Sequence, residues 1–187
     1  MSRGTKVSRP EGKDFPAAPE GLHPAVCVDV WEIWTEPRDE RWGGGLVDRT
    51  RIIWQIDQTF KNEKGEEERY QVMQTYTASL DDRSNLYKHL KSWRGRSFSE
   101  DELKEFELEN LVGVNCQLQI VRNVAGNGKT YANIAAIVRA DKNAEKLIVT
   151  SGFVRRKDQK REDQHEQHDQ EPIDESQFAA TDDDVPF

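Results

Sequence analysis

Residues 84–98 read SNLYKHLKSWRGRSF. Leu86, Leu90 and Trp93 recur at i, i+4 and i+7, which places them on one apolar stripe of a helix. Ser84 or Asp82 can cap its start and Gly95 can end it. Directly afterwards, Ser99 and Glu102 have the Ser-x-x-Glu spacing of a capping box, and Leu103 and Phe106 give a second short helix an apolar side. This segment decides the fold because the pattern on both sides of it has a period of two, the mark of half-buried strands.

Upstream, residues 25–35 (AVCVDVWEIWT) set Val26, Val28 and Val30 on one face and Cys27, Trp31 and Ile33 on the other, so both faces are partly apolar. Residues 49–60 (RTRIIWQIDQTF) carry Ile52, Trp54 and Ile56 in phase. Asn62 and Gly65 mark a hairpin turn, and residues 69–78 form a third strand with Tyr70, Val72 and Tyr76 in phase. Downstream, Val114, Cys116, Leu118 and Ile120 alternate strictly, Gly126-Asn127-Gly128 turns the chain, and residues 130–138 complete a second hairpin. Residues 147–154 read as a last short strand or an ordered extension. Three strands, a helical segment and two more strands are the plan of a five-stranded OB-fold barrel, mainly β, a fold that commonly binds oligonucleotides. The organisation expected is a flexible, basic, Pro-rich arm (1–24), the barrel (25–154) and a disordered acidic tail (155–187).

The charge is unevenly placed. The chain of 187 residues has 27 Lys+Arg and 35 Asp+Glu, a net of -8. Residues 158–187 hold eleven acids and two bases, a net of −9, which leaves 25 bases and 24 acids, or +1, for residues 1–157. An acidic total argues against phosphate binding, but here it belongs to the tail and not to the body. No apolar run of ~18 residues exists to span a membrane, and the polar N-terminus lacks a signal-peptide stretch. A cytoplasmic protein is expected, with Cys27 and Cys116 as buried free thiols.

The sharpest motif is Asp182-Asp183-Asp184-Val185-Pro186-Phe187, where the sequence ends. Phe187 offers an aromatic anchor, its carboxylate a handle for Arg or Lys, Pro186 a low entropy of docking, and the aspartates a match for a basic rim. This tip resembles that of bacterial single-stranded DNA-binding proteins, with Val185 where Ile is commonest. The body resembles single-stranded DNA-binding proteins of phages and mobile elements, in SNLYKHLKSWRGRSF and in GKTYANIAAI (128–137). The resemblance implies a protein that coats single-stranded DNA with little sequence preference and recruits replication, recombination or repair proteins through its tip. It also implies oligomers among relatives, while the oligomeric state of this chain stays open. A rival reading is a non-DNA-binding decoy that presents the tip to the same partners.

Single strands are held by base stacking on aromatics along a positive groove. The stacking candidates are Trp31, Trp34, Trp42, Trp54 and Tyr131, although Trp54 shares the phase of Ile52 and Ile56. Trp93 shares the phase of Leu86 and Leu90 and reads as core. Arg49, Arg51, Arg94, Arg96 and Lys129 are the phosphate candidates, and Arg38 and Arg41 flank Trp42 in a glycine-rich loop. Other motifs fail. Gly128-Lys129-Thr130 lacks the glycine that a phosphate loop needs at position 123, which is Asn. His165 and His168 have helical ligand spacing but no cysteine near them. The carboxylates at 29 and 32, or 81 and 82, have no catalytic partner at a recognisable spacing. No enzyme activity, metal or cofactor is expected.

Overall fold

The computed structural model describes residues 16–159. Its order is β1 (Gly21–Val30), β2 (Trp34–Pro37), β3 (Leu46–Lys61), β4 (Glu67–Thr77), α1 (Asn85–Arg94), α2 (Glu100–Glu105), β5 (Asn115–Val124) and β6 (Thr130–Arg139). All pairings are antiparallel, in the order β2-β3-β1-β5-β6 with β4 on the other edge of β3. The protein is thus a mainly β, six-stranded antiparallel sheet with a few short helices. β4 and β6 touch without forming a ladder.

The helices form as their end signals dictate. The Ser84 hydroxyl accepts the Tyr87 N–H, and Gly95 closes α1 at φ 71°, a left-handed conformation that glycine adopts without strain. Both halves of the capping box at Ser99 and Glu102 are made. The α1 stripe of Leu86, Leu90 and Trp93 is buried against one face of the sheet, with Cys27, Trp54, Ile56, Val72, Cys116, Leu118 and Ile120. Cys27 and Cys116 are buried thiols that form no disulfide among the described residues.

Four expectations change. Residues 25–35 are not one strand: β1 stops at Val30, and β2 begins at Trp34 as a sixth strand against the start of β3. A bulge at Val28 makes Cys27 face Trp54 and Asp29 face Ile53. The extra residue reverses the phase, so Val30 joins Cys27 in the main core and Trp31 joins Val26 and Val28 on the opposite face. The arm does not reach residue 24, because β1 starts at Gly21, Ala18 is buried, and Arg122 donates to the carbonyls of Ala17 and Ala18. Pro24 is tolerated in β1 because it lies opposite Gln117 of β5, before the β3 ladder begins at Ala25, so its missing N–H breaks no bond. Residues 155–159, placed in the tail, form a helical turn in which the N–H groups of Asp158 and Gln159 donate to the Arg155 carbonyl. The rest of the tail lies outside the described residues.

The second face of the sheet is covered in part by residues 147–153, an ordered extension without strand pairing. Leu147, Val149 and Phe153 rest on Val26, Val28 and Ile53. The Asn115 amide exchanges two hydrogen bonds with the Leu147 backbone (3.0 and 2.8 Å), and Gln55 Oε1 accepts from Thr150 N and Oγ1 (3.1 and 2.9 Å). Among the described residues, no helix is long and apolar enough to cross a membrane.

α1 is also tied to β4 by His89 Nδ1 and the Tyr76 hydroxyl, 2.8 Å apart. Burial lowers the His89 pKa from its ordinary value. The unfolded chain therefore takes up this proton at a higher pH than the folded one, so this contribution to stability is present above pH ~6.5 and is lost as pH falls toward the folded pKa. The melting temperature should fall between pH 7.5 and 5.5, and the fall should be smaller in His89→Gln. An equal fall in the variant would assign the effect elsewhere.

Candidate nucleic-acid interface

On the face opposite the main core, strand alternation aligns Arg49, Arg51 and Ile53 of β3 with Thr77, Thr75 and Met73 of β4. The bulge in β1 brings Trp31 to the same face, and pairing of β2 with β3 sets Trp34 opposite Arg49. The result is a compact group. The Arg51 guanidinium lies 4.4 Å from the Trp31 ring centroid and 5.9 Å from that of Trp34, and the two rings are 6.1 Å apart at 57°. Cation–π attraction in such a site is worth roughly 0.5–2 kcal/mol. Arg51 Nε also donates to Thr75 Oγ1 at 2.9 Å, which sets its orientation.

Glu36 organises the neighbouring half. It accepts from Trp34 Nε1 at 3.0 Å and from Arg49 Nε at 2.9 Å, while Arg49 Nη1 donates to Thr77 Oγ1 at 3.0 Å. The Trp34 hydrogen bond, followed by that from Arg49, holds the Glu36 carboxyl below its ordinary pKa. Beside this group a cleft of about 480 Å³ runs from Arg49, Thr75 and Thr77 to Ser79 and Arg83. Together these groups present two partly buried indoles, two guanidinium groups and two threonine hydroxyls, which suits a flat π-system beside a phosphate.

Sequence reasoning did not single out Glu36, Thr75 or Thr77. The signal for Glu36 was its two-residue offset from Trp34, which puts both on one face of a strand. That for the threonines was the outward phase of β4, opposite Tyr70, Val72 and Tyr76.

The other candidates lie elsewhere. Trp54 is a correction: it is 0% exposed, 5.9 Å from Trp93 in the main core, and has no face for a base. Its phase matched Ile52 and Ile56 because all three point inward. Trp42 is 76% exposed in a 3-10 turn (Glu40–Trp42) of the loop between β2 and β3, with no ring contact to Trp31 or Trp34 among the described residues, and Arg41 is turned back onto Asp39 at 2.6 Å. Arg94 and Arg96 both bind Glu102, and Arg94 also stacks 4.1 Å from the Phe98 centroid. Arg96, the Ser99 N–H and Arg94 hold the Glu102 carboxyl down to about 2, so this one carboxylate stays charged and shared between the two arginines at any physiological pH. Lys129 and Tyr131 belong to the β5–β6 hairpin, beyond the Gly21 end of β1, whereas Trp31 follows the opposite end at Val30. The fold therefore joins Trp31, Trp34, Arg49 and Arg51 and separates the rest. Asp182, Asp183, Asp184, Val185, Pro186 and Phe187 lie outside the described residues.

Among the described residues, no group of three or more His, Cys, Asp or Glu side chains could hold a metal ion. No family model matches the chain, and no curated protein matches it in sequence.

The five tryptophans should divide under acrylamide. Trp42→Phe should remove the largest part of the quencher-accessible emission, and Trp54→Phe should remove emission only from the shielded fraction. An accessible Trp54 would contradict its place in the core.

Proposed function

We propose that this protein binds single-stranded DNA with little sequence preference, on the face that carries Trp31, Trp34, Arg49 and Arg51. The single observation behind this reading is the Arg51 guanidinium set between two half-buried indoles at the edge of the second sheet face. A base can stack on either ring, Arg51 meets an adjoining phosphate, and Arg49, held by Glu36, would have to exchange that carboxylate for a phosphate to add a second contact. In this reading the sheet is an OB-fold barrel, which the order β1, β3 and β4, then the helices, then β5 and β6, and the contact between β4 and β6 support. Residues 147–153 cover the Val26–Ile53 half of that face, so the strand enters on the Trp31–Trp34 half. The protein acts by binding alone, with no covalent chemistry and no cofactor. In this reading the tip Asp182–Phe187 recruits replication, recombination or repair proteins, and the protein works in the cytoplasm of a bacterium or an infected host.

Two experiments test this. Oligo-dT should quench tryptophan emission at low salt, with affinity falling as salt rises by a slope of about 0.7 per phosphate contacted. Trp31→Ala and Trp34→Ala should each weaken binding by roughly 1–3 kcal/mol, about 5- to 150-fold, while Trp54→Phe should bind as well as the parent. An absence of oligo-dT binding by the full chain would leave the decoy reading in its place. Phe187→Ala should spare DNA binding and abolish partner capture; the reverse result would overturn the division of roles. Glu102→Gln preserves the capping box and releases Arg94 and Arg96, so tighter oligo-dT binding at low salt is expected.

A further inference from the structure

Five arginines of the described chain are each paired with a carboxylate: Arg41 with Asp39, Arg49 with Glu36, Arg83 with Asp81, and Arg94 and Arg96 with Glu102. The cations on residues 139–146 are different. This segment leaves β6 at Arg139 and crosses to Leu147, where the Asn115 amide anchors it. Between it, the start of β5 and the end of α1 lies a cavity of about 660 Å³. Arg139, Lys142 and Lys146 line it, with Arg94 from α1. None of those three cations takes part in an ion pair among the described residues. Two carboxylates, Asp141 and Glu145, share the wall, and Asp141 is occupied in a turn as acceptor of the Asn143 N–H at 2.9 Å.

We propose that this cavity is an anion site that takes a phosphate group. Arg139, Lys142 and Lys146 against Asp141 and Glu145 leave this wall with a net positive charge, which an anion would offset. A phosphate offers several oxygens that two ammonium groups and a guanidinium can share through charge-assisted hydrogen bonds. Part of the site is rigid: the Arg139 side chain lies along Gly95, whose added Cβ would be 3.3 Å from Arg139 Cδ, and Arg94 is fixed by Glu102 and Phe98. The volume falls within the usual range of ligand sites and is larger than a lone phosphate needs. The group therefore arrives as part of a larger molecule. Its source is either the backbone of a bound single strand, which rests on the function proposed above, or a free phosphate compound of nucleotide size.

The test compares the full chain with Lys142→Gln/Lys146→Gln, two exposed positions where circular dichroism should show an unchanged fold. Pyrophosphate is the probe for a free compound, titrated by calorimetry at low salt. The double variant should bind it about tenfold more weakly or worse, from the loss of two charged hydrogen-bond donors. Oligo-dT is the probe for the backbone. If the strand supplies the phosphates, the slope of log affinity against log salt should fall by about 1.4 in the variant, at about 0.7 for each contact. Weakened pyrophosphate binding with an unchanged oligo-dT slope would identify a free phosphate compound as the source. No pyrophosphate binding by the parent chain, together with an unchanged slope, would overturn the proposal. If the parent chain fails to bind oligo-dT at all, the single-strand reading falls, while the pyrophosphate titration still decides the cavity.

Discussion

The contact between Trp54 and Trp93 is the point on which the rest of the structure depends. Trp54 stands at the centre of β3, the strand that pairs with β1, β2 and β4. Trp93 brings α1 onto it, with the rings 5.9 Å apart. The Trp93 indole N–H then donates to the Asn115 carbonyl at 2.9 Å, fixing the start of β5. The Asn115 amide holds Leu147 in turn. One chain of contacts thus runs from the sheet centre through the helix to the extension over the opposite face. Both indoles are buried in the main core, and the Trp93 N–H finds a partner that keeps its burial from being costly.

This arrangement gives the sheet two different faces. One is closed by α1 and supplies the main core. The other is covered over Val26, Val28 and Ile53 and only half-covered at Trp31, Trp34, Arg49 and Arg51. Because residues 139–147 must travel from the end of β6 to the Asn115 anchor, they arch over the start of β5 and leave the cation-lined cavity beneath. The interface proposed for bases and the cavity proposed for phosphate therefore follow from one packing solution.

The charges are organised by the same logic. The body is near neutral in total, yet its arginines differ sharply in what surrounds them. Arg94 and Arg96 looked available for phosphate in the sequence because their carboxylate, Glu102, stands several residues away on another helix. The turn at Gly95 and Arg96 folds α2 back, so one carboxylate serves both guanidinium groups and the capping box together. Arg51 keeps its position between two rings because Thr75 directs it, a pairing set by the β3–β4 register.

The sequence by itself determined the elements: the helical stripe at Leu86, Leu90 and Trp93, the caps at Ser84, Gly95 and Ser99, and strands whose period of two marks Cys116, Leu118 and Ile120 as core. These depend on neighbours within a few residues, where steric and hydrogen-bonding rules act locally. It also carried the warning that Trp54 is in phase with the core. The tertiary structure alone decided the bulge at Val28, since a Val-Cys-Val alternation reads the same with or without an extra residue, and only pairing with β3 expels one. That bulge moved Trp31 to the face of Arg51. The tertiary structure also decided which cations are paired, because an ion pair depends on distances in space that chain separation does not encode.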